Sequence, residues 1–261
     1  MPSPSPLKIM SWNVNSVNAR LERLTALLTR HTPDILCLQE LKCEESRFPF
    51  ESMKALGYTA AAVSGQKTYN GVAIVTKYPI SEIRRPFQGT ELATQARAIG
   101  AFIQSVWVYS VYVPNGQEVG CEKFAYKLQW MHAFGGYLKS AHSPKDEVAV
   151  CGDYNVAPTS LDVHAPDLWN EKILCSTEER NALAHIVGDY EDTFRKQHAD
   201  GGQFTWWDYR DLGFPLNKGL RIDLILASRP LAERCRRTEI DRNERKGSKP
   251  SDHAPVLAEF V

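Results

Sequence analysis

The sequence lacks the features that would place it at once in several common classes of protein. No pair of its cysteines has the C-x-x-C spacing of a zinc or redox motif. No stretch approaches the roughly 18 apolar residues that a membrane-spanning helix needs. Residues 1–6 contain neither the basic nor the apolar segment of an export signal. We therefore expect a soluble, cytoplasmic protein with no membrane contact and with a frayed N-terminus at residues 1–6.

The sequence also has no net charge. Its 31 Lys and Arg residues balance 31 Asp and Glu residues, so no overall field marks a polyanionic partner. Between residues 233 and 249, however, seven basic residues outnumber four acidic ones. A mixed run of this kind usually covers a solvated surface, and it indicates a phosphate contact only where it borders a site.

Cysteine is present but scattered. Several cysteines lie inside apolar, strand-like runs, where a thiol packs as a small hydrophobic group. Buried, reduced thiols are therefore expected at the six positions, which are Cys37, Cys43, Cys121, Cys151, Cys175 and Cys235.

Length and composition predict a single domain over residues 1–261. Hydrophobic residues make up 43% of the chain, enough for a sizeable core, and no linker divides it. Apolar spacings of three and four predict helices near residues 17–28 and 124–134. Adjacent strand pairs follow an opening strand, helix and strand, which predicts an α/β sandwich with a mixed sheet. The predicted strands cover 7–12, 35–38, 72–75, 99–103, 106–113, 148–150, 222–226 and 256–260.

Three long connections, at residues 41–70, 156–178 and 197–220, separate these elements. Loops of this length are uncommon in a compact domain unless they bind something. The third contains Phe204-Thr205-Trp206-Trp207-Asp208-Tyr209-Arg210, with four aromatic residues in seven. Core packing explains one or two of them. Stacking on a base or sugar explains why so many lie on a polar loop.

Oxygen-bearing side chains follow the first two predicted strands. Asn13 and Asn15 end the first strand, and Glu40 follows the second. A carboxylate at a strand end is often only a solvated terminus. Ligands of open α/β sheets bind beyond strand ends, however, so these groups are expected to converge on one cleft. Together they predict a site for one Mg²⁺ or Mn²⁺ ion rather than Zn²⁺, because no Cys or His cluster competes.

The segment Gly152-Asp153-Tyr154-Asn155 leaves a predicted strand through a tight turn. Its simpler interpretation is a turn whose side chains cap their own backbone. In extended chain, however, Asp153 and Asn155 point the same way. One could then deprotonate a water while the other donates to a phosphate oxygen. The sequence of this segment leaves both interpretations open.

Asp223 lies inside an apolar run, where a buried carboxylate without a partner costs several kcal/mol. We infer that it has a partner, and His253 is the economical candidate, although a histidine before a strand is usually an ordinary surface residue. The carboxylate would orient the imidazole and raise its pKa, giving a donor for a phosphate. Tyr112 and Asn115 add a phenol and an amide at another strand end, or form no more than a turn.

Seven motifs occur along the chain in a fixed order. They are S-W-N-V-N (11–15), L-Q-E (38–40), Y-V-P-N-G (112–116), G-D-Y-N-V-A-P (152–158), W-x-D-Y-R (206–210), G-L-R-I-D (219–223) and S-D-H-A-P (251–255). Over residues 8–260 the sequence resembles the exonuclease III class of abasic-site endonucleases. The resemblance implies a four-layer, DNase I-like α/β sandwich, in which two mixed β-sheets pack face to face with helices outside.

The resemblance also implies roles around the metal and the scissile phosphate. Glu40 would be the principal metal ligand, close to Asn13, Asn15 and Asp252, and Asn13 would belong to the catalytic set as well. Asp153 would orient or deprotonate the attacking water. The phosphate would be held by Asn155, Tyr112 and His253, with Asp223 orienting His253.

Further residues are implied to bind DNA. Asn115 and Arg97 would touch the DNA backbone, and Trp206 would line a lesion pocket with Trp207 or Leu220. Tyr209 and Arg210 lie in the same aromatic segment and are expected to contact DNA.

Two positions depart from the resemblance or vary within it. Gln95 stands where the family more commonly has an acid, so the support of Arg97 is open. His164 lies in a variable loop, where it could hinder DNA continuing past the phosphate and so favour 3′-end processing. A structural loop histidine is the alternative.

The sequence therefore predicts a Mg²⁺-dependent DNA repair nuclease that hydrolyses the phosphodiester 5′ of an abasic site or trims blocked 3′ ends. Its partner would be double-stranded DNA with such a site or end, and it would act as a monomer. One alternative is a superfamily phosphatase or phospholipase acting on a small phosphoester, which the aromatic segment argues against. The other is a non-catalytic DNA-binding relative, which the presence of Glu40, Asp153 and His253 argues against.

Overall fold

In the computed structural model, which describes residues 6–261, two mixed β-sheets pack face to face. In spatial order, sheet A consists of β13 (Cys235–Ile240), β14 (Val256–Phe260), β1 (Leu7–Asn13), β2 (Ile35–Gln39), β4 (Val72–Thr76) and β3 (Ala60–Ser64). Within sheet A, β1 and β2 run parallel and the other neighbouring strands run antiparallel.

Sheet B has the same mixed character. In spatial order it consists of β5 (Glu82–Arg84), β6 (Ala98–Ile103), β7 (Val106–Tyr112), β8 (Val148–Asp153), β12 (Asp223–Ser228) and β9 (Tyr190–Asp192). Here β7 and β8 are the parallel pair, and the remaining neighbours are antiparallel. A small antiparallel ribbon pairs β10 (Trp206–Trp207) with β11 (Gly219–Leu220).

Helices cover the outer faces of both sheets. On sheet A, α1 and α2 pack their apolar side chains, whereas α3 and α5 cover sheet B. The helices are α1 (Leu21–His31), α2 (Phe50–Ala55), α3 (Glu122–Ala141), α4 (Pro166–Trp169), α5 (Thr177–Val187), α6 (Thr193–Gln197) and α7 (Arg229–Ala232). Short 3₁₀ turns cover Glu45–Arg47, Glu91–Thr94, Ser160–Asp162 and Arg242–Arg245. The expected four-layer sandwich is therefore confirmed.

The continuous apolar runs of the central strands follow from this layering. In β2, Ile35 and Cys37 face the core between the sheets, whereas Leu36 and Leu38 face the helices. Side chains alternate along a strand, so a strand covered on both faces must be apolar at every position.

Towards one edge of the sandwich the core between the sheets becomes polar. The Nε2 of Gln39 donates to the Oγ of Ser110 (3.0 Å), and that hydroxyl donates across to the carbonyl of Leu38 (2.9 Å). These side chains are fully buried, so their hydrogen bonds fix the two sheets relative to each other. Glu40 follows immediately after this contact.

Strand pairing brings the polar strand ends to this edge. Asp153 is in register with Tyr112 on one side and with Asp223 on the other. Asn13 is in register with Gln39, next to Glu40. The last residues of β1, β2, β7 and β8 therefore meet the first residue of β12, as expected for a site beyond strand ends.

Gly152 is required by the close approach of β7 and β8. A Cβ at this position would lie 1.9 Å from the carbonyl oxygen of Val111. Any side chain would force the two strands apart, one residue before Asp153.

The strong apolar runs were predicted correctly, and no predicted strand end differs from the observed one by more than three residues. The first helix begins later than its pattern indicates, because residues 17–20 form a turn and the backbone N–H of Val17 donates to the Leu41 carbonyl. The connection 41–70, expected as a long loop, contains α2 and β3. Five of the six cysteines are buried, Cys121 is partly buried, and all six are free thiols. Within residues 6–261, no helix is long and apolar enough to cross a bilayer.

A buried ion cluster ties the loop after β8 to sheet B. Arg221 is 1% exposed and donates from Nε to Asp162 (2.7 Å) and from Nη2 to Asp192 (2.7 Å). Arg195 also pairs with Asp162. Burial alone would raise the pKa of Asp162, but the charge of Arg221 and the hydrogen bonds from Arg221, Thr159 and Arg195 together outweigh it and hold that pKa below its usual range.

We expect Asp162→Asn to lower the free energy of unfolding by about 3 kcal/mol, since it leaves buried Arg221 short of a carboxylate. A depressed folded-state pKa stabilises the fold fully above the unfolded value of about 3.9, and this contribution is lost as the pH falls below it. The variant should therefore lose less stability on acidification than the wild type. Urea unfolding at about pH 7 and at about pH 3, below the unfolded pKa, measures both effects.

Asp167→Asn is the matched control, because Asp167 is exposed on α4 in the same region. It should unfold like the wild type. Equal stability of Asp162→Asn and wild type at neutral pH would contradict the assignment.

Candidate active site

The site is assembled around the side chain of Asn13, the last residue of β1. Asn13 is fully buried, and its Nδ2 donates to Oε1 of Glu40 (2.9 Å) and to Oδ2 of Asp153 (2.9 Å). Its Oδ1 accepts the backbone N–H of Asn15 (3.0 Å). Because Glu40 follows a strand of sheet A and Asp153 ends a strand of sheet B, one amide joins carboxylates of opposite sheets.

Glu40 also pairs with a lysine that the sequence analysis did not identify. The Nζ of Lys42 lies 2.9 Å from Oε2 of Glu40 and donates to Oδ1 of Asn15 (2.5 Å). Lys42 therefore places a positive charge beside the carboxylate that the sequence predicts as the main metal ligand.

Several candidate residues have left-handed backbone. The φ angles of Asn15, Glu40 and Asn155 are 46°, 53° and 49°. This region costs energy for residues other than glycine and is often found at functional sites. The turns that follow β1, β2 and β8 therefore hold a strained backbone at the residues whose side chains face the candidate site.

The Asp153 turn makes the capping contact that the simpler interpretation of its sequence predicts. Oδ1 of Asp153 accepts the backbone N–H of Asn155 (2.9 Å), which is the capping contact of an Asx turn. Oδ2 faces Asn13 and the site. Asn155 is 5% exposed, and its Nδ2 donates to the Val113 carbonyl (3.0 Å) while its Oδ1 accepts from Asn115 (3.1 Å). The Asn155 side chain is therefore tied into the turn.

His253 and Asp223 form the pair that the buried carboxylate indicated. Nδ1 of His253 lies 2.8 Å from Oδ2 of Asp223, and its Nε2 lies 3.7 Å from Oδ2 of Asp153. The backbone N–H of Asp223 donates to Thr205 (3.0 Å), and that of His253 donates to Ser251 (3.2 Å). Oδ1 of Asp223 is buried without a hydrogen-bond partner in the described part of the chain.

Burial and neighbouring charges shift the pKa values of this pair in useful directions. Burial raises the pKa of Asp153 to about 7, with Asp223 and Glu40 adding to the shift and His253 opposing it. Burial alone would lower the pKa of His253, but the charges of Asp223 and Asp153 outweigh it and raise that pKa to about 10. At neutral pH the site therefore contains a charged imidazolium beside a carboxyl group that can exchange its proton.

The donor set fits a hard divalent cation. Ligand atoms of Glu40, Asp153 and His253 lie within 4.8 Å of one another. Carboxylate oxygens are ligands that Mg²⁺ and Mn²⁺ prefer, and Glu40 and Asp153 supply two of them, whereas Asn13 directs its Nδ2 rather than its oxygen at this group. The lysine ammonium at Glu40 indicates that this position attracts positive charge.

Asp252 and Asn15 lie beside this group and bind each other. Nδ2 of Asn15 donates to Oδ1 of Asp252 (2.9 Å), and the indole of Trp206 donates to Oδ2 (3.1 Å). Burial alone would raise the pKa of Asp252, but His253 and these hydrogen bonds outweigh it, so the pKa is lowered. Asp252 thus stays ionised next to the candidate cation site.

Arg97 is supported by Gln95 in spite of the missing acid. Nε of Arg97 donates to the Gln95 side-chain oxygen (2.6 Å), and its Nη1 donates to the Tyr112 carbonyl (3.2 Å). The guanidinium lies 4.7 Å from the centre of the Tyr112 ring. Burial raises the pKa of Tyr112 well above its usual value, so its phenol remains a hydrogen-bond donor.

The aromatic segment is only partly available to a ligand. Trp206 is half-buried at the site, whereas Trp207 is fully buried against Phe204 and Phe214. Leu220 is also fully buried. The expectation that Trp207 or Leu220 lines a lesion pocket is therefore wrong for this conformation, because neither presents any surface.

The other expected DNA contacts lie around Trp206. Tyr209 is 52% exposed and donates to the Pro250 carbonyl (2.8 Å). Arg210 is exposed and paired with Asp208 (2.7 Å). Nδ1 of His164 lies 3.2 Å from the Gly219 carbonyl oxygen. His164 is thus held against β11, the strand whose Leu220 pairs with Trp206.

The basic stretch at residues 233–249 is not simply a solvated surface. It contains β13 and a 3₁₀ turn, and Arg245 is 5% exposed. Arg245 donates to the carbonyls of Ser251 and Trp207. It therefore fixes the segment that leads into Asp252 and His253.

Comparison with known proteins agrees with this geometry. A sequence profile of the Endonuclease/Exonuclease/phosphatase family matches residues 10–253. The chain belongs to this family. Exodeoxyribonuclease III of Haemophilus influenzae is 37% identical over 267 residues, covering 97% of this chain and all of that protein.

Solved structures resemble the whole chain as well. A 3′ phosphatase from Neisseria, NExo, bound to a product DNA hairpin, is 38% identical with a TM-score of 0.92, covering 98% of this chain and 99% of that one. An AP endonuclease from Archaeoglobus fulgidus is 38% identical with a TM-score of 0.93, covering 97% and 99%. The resemblance inferred from the motifs is thus confirmed.

The sequence analysis missed residues that bind the candidate groups directly and hold them in place. Lys42 lies two positions after Glu40, and this proximity was the available signal. Ser251 and Thr205 accept backbone N–H groups of His253 and Asp223 through their hydroxyls. Small polar residues in loops carry no pattern that distinguishes this role.

We expect Glu40→Gln to weaken Mn²⁺ or Mg²⁺ binding by at least about tenfold, since loss of even an outer-shell partner commonly costs 10–100-fold. Isothermal titration calorimetry on the protein alone measures this affinity. Exposed Glu44→Gln is the control and should bind as the wild type does. Unchanged affinity in Glu40→Gln would place the ion elsewhere.

Proposed function

We propose that this protein is a divalent-metal-dependent DNA repair nuclease that hydrolyses the phosphodiester 5′ of an abasic site and processes 3′ ends. The observation that carries the proposal is the convergence of Glu40, Asp153 and His253 within 4.8 Å, with Asn13 joining the two carboxylates. Such a group can bind a phosphate, a cation and a water together.

The substrate class is supported by the relatives. Those that match along nearly the whole chain are named as an exodeoxyribonuclease III, an AP endonuclease and a 3′ phosphatase bound to DNA. These activities share one reaction, hydrolysis at a phosphate on the 3′ side of a deoxyribose. We therefore propose that one site acts on internal abasic positions and on blocked 3′ ends.

The residues supply both a general base and a hydrogen-bond donor that stabilises the negative charge of the phosphate. The Asp153 carboxylate accepts a proton from a water whose oxygen attacks phosphorus. His253, held by Asp223, donates from Nε2 to a phosphate oxygen as negative charge develops on it. The bond from phosphorus to the 3′ oxygen breaks, and that oxygen takes a proton from solvent. The products are a 3′-hydroxyl and a 5′-phosphate.

The metal is proposed to be Mg²⁺, with Mn²⁺ as a substitute. Glu40 would hold it, with Asn13, Asn15 and Asp252 close by. When bound, the ion would supply positive charge that stabilises the phosphate and the departing oxygen. Lys42 would have to release Glu40, or share it, as the ion binds.

Substrate contacts extend outward from the phosphate. Tyr112 and Asn155 are proposed to position the phosphate, and Arg97 and Asn115 the adjacent backbone. Half-buried Trp206 and exposed Tyr209 offer aromatic surface for an unstacked deoxyribose. Arg210 is proposed to contact a neighbouring phosphate.

The whole chain is proposed to act as one domain and as a monomer. Both sheets contribute side chains to the core between them and to the candidate site. The candidate catalytic groups all come from one chain, so a second copy is not needed to complete them.

We expect the protein to nick a duplex with an internal abasic analogue in the presence of Mg²⁺. Asp153→Asn should lower kcat by about 10³-fold, the scale of a general base, while leaving the fold intact. Product lengths on a denaturing gel and single-turnover rates measure this. Exposed Asp167→Asn is the control for a neutralised carboxylate. Equal cleavage by wild type and Asp153→Asn would remove Asp153 from the mechanism.

The same enzyme should be inactive on inositol phosphates assayed in parallel. Turnover of such a small phosphoester, with no cleavage of abasic DNA, would replace the nuclease proposal with the phosphatase alternative.

We expect His164→Ala to raise internal incision relative to 3′-end removal by about tenfold. The ring is fixed on Gly219 beside the Trp206 ribbon, and we propose that it narrows the path of a DNA strand continuing past the phosphate. Matched duplexes with an internal abasic analogue or a 3′-phosphate give the ratio. An unchanged ratio would assign His164 a purely structural role.

A further inference from the structure

A lysine with no exposed surface lies beneath the candidate site. Lys127 belongs to α3, is 0% exposed, and is not among the groups that the proposed reaction uses. Burying an ammonium ion is costly unless it is fully paired. The hydrogen-bond partners of Lys127 therefore indicate which part of the structure its buried charge stabilises.

The Lys127 ammonium joins three separate segments. Its Nζ donates to the backbone carbonyl of Asn155 (2.6 Å) and to that of Asn115 (3.1 Å). Its third contact is a salt bridge to Glu179 of α5, which is also 0% exposed. An ammonium group has three donors, so every one of them is used.

Glu179 is itself fixed by its surroundings. Its carboxylate accepts the backbone N–H of Leu174 (3.0 Å), and the N–H (3.1 Å) and hydroxyl (2.7 Å) of Ser176. These contacts include the capping box that begins α5. Burial lowers the pKa of Lys127, and Glu179 offsets only part of this shift. The charge is therefore anchored on the helix layer rather than on the site turns.

Two of the three Lys127 contacts are to turns that carry candidate phosphate and DNA contacts. The side chains of Asn115 and Asn155 hydrogen-bond each other (3.1 Å), and Asn155 also reaches Asp153 (3.3 Å). Gly116, at φ 90°, lies so close that a Cβ there would be 3.0 Å from Cδ of Lys127. The turn after β7 is thus packed directly on the lysine stem.

We propose that Lys127 is a positioning residue, which holds the turns after β7 and β8 in the relative placement that the reaction needs. The inference rests on the proposed function and deepens it. Pulling both carbonyls toward one ammonium fixes the distance between Asn115 and Asn155, and through Asn155 the orientation of Asp153. Displacement of about 1 Å at a reacting group can cost about 10²-fold in rate.

The test compares Lys127→Met with the double variant Lys127→Met/Glu179→Gln. The single variant leaves a buried carboxylate unpaired, whereas the double variant removes both charges. We expect the melting temperature to fall in the single variant and to recover, at least in part, in the double variant. We expect kcat on abasic duplex to fall about 10²-fold in both, with KM changing less than threefold.

Leu138→Ala is the matched control for loss of stability. Leu138 is buried on the same helix and packs in the outer core of sheet B. It should lower the melting temperature and leave kcat unchanged below the unfolding transition. This split separates positioning from a general loss of stability.

Each result has a defined meaning. A kcat that recovers together with the melting temperature in the double variant would overturn the inference, as would an equal loss of kcat in Leu138→Ala. Wild-type kcat in both Lys127 variants would also overturn it. Failure of the wild type itself to cleave DNA would instead contradict the proposed function.

Discussion

The candidate site depends on one amide group that joins two carboxylates from opposite sheets. The Asn13 Nδ2 donates to both Glu40 and Asp153, and its own oxygen is fixed by the Asn15 backbone. The negative charges of Glu40 and Asp153 repel each other, and the amide hydrogen bonds between them offset part of that repulsion. Because the amide is neutral, it adds no positive charge that would repel a bound cation. The contact is possible only if the edges of the two sheets are aligned, which the buried Gln39 and Ser110 hydrogen bonds ensure.

The remaining groups follow from this alignment by strand register. Pairing with Asp153 places Tyr112 and Asp223 at the same level, and Asp223 then fixes the ring of His253. A charged imidazolium and a carboxyl group that titrates near neutrality thus lie 3.7 Å apart. This separation of pKa values supports the proposed roles of Asp153 as proton acceptor and His253 as a charged donor to the phosphate.

An element or site residue could be predicted from the sequence only where its burial leaves a pattern in the residue types. The central strands were predictable because both of their faces are buried. In contrast, β13 is a sheet edge with the sequence C-R-R-T-E-I, whose charged residues hide its strand character. Asp223 was informative because a buried carboxylate demands a partner. Lys127, buried to the same degree, was not, since amphipathic helices usually carry lysine on their solvent side.

In the aromatic segment 204–210, the sequence likewise does not show which side chains are buried. Composition alone cannot separate two adjacent tryptophans, yet strand alternation in the β10 ribbon sends Trp207 inward and leaves Trp206 at the site. Burial of Trp207 was therefore decided by a short strand pairing that gives no periodic signal in a loop.

In this fold, one set of contacts fixes the candidate reacting groups, and a different set fixes the residues that surround them. The reacting groups are fixed by sheet register and by buried polar contacts, whereas the surrounding walls are loops. His164 is tied to Gly219 of β11, whereas Trp206 is tied to Asp252 through its indole and to Leu220 and His253 through its backbone. Arg221 holds the loop that contains Asp162 against the same strand that begins with Asp223. Changes in loop shape can therefore alter which DNA ends enter the site while the Asn13 contacts stay the same.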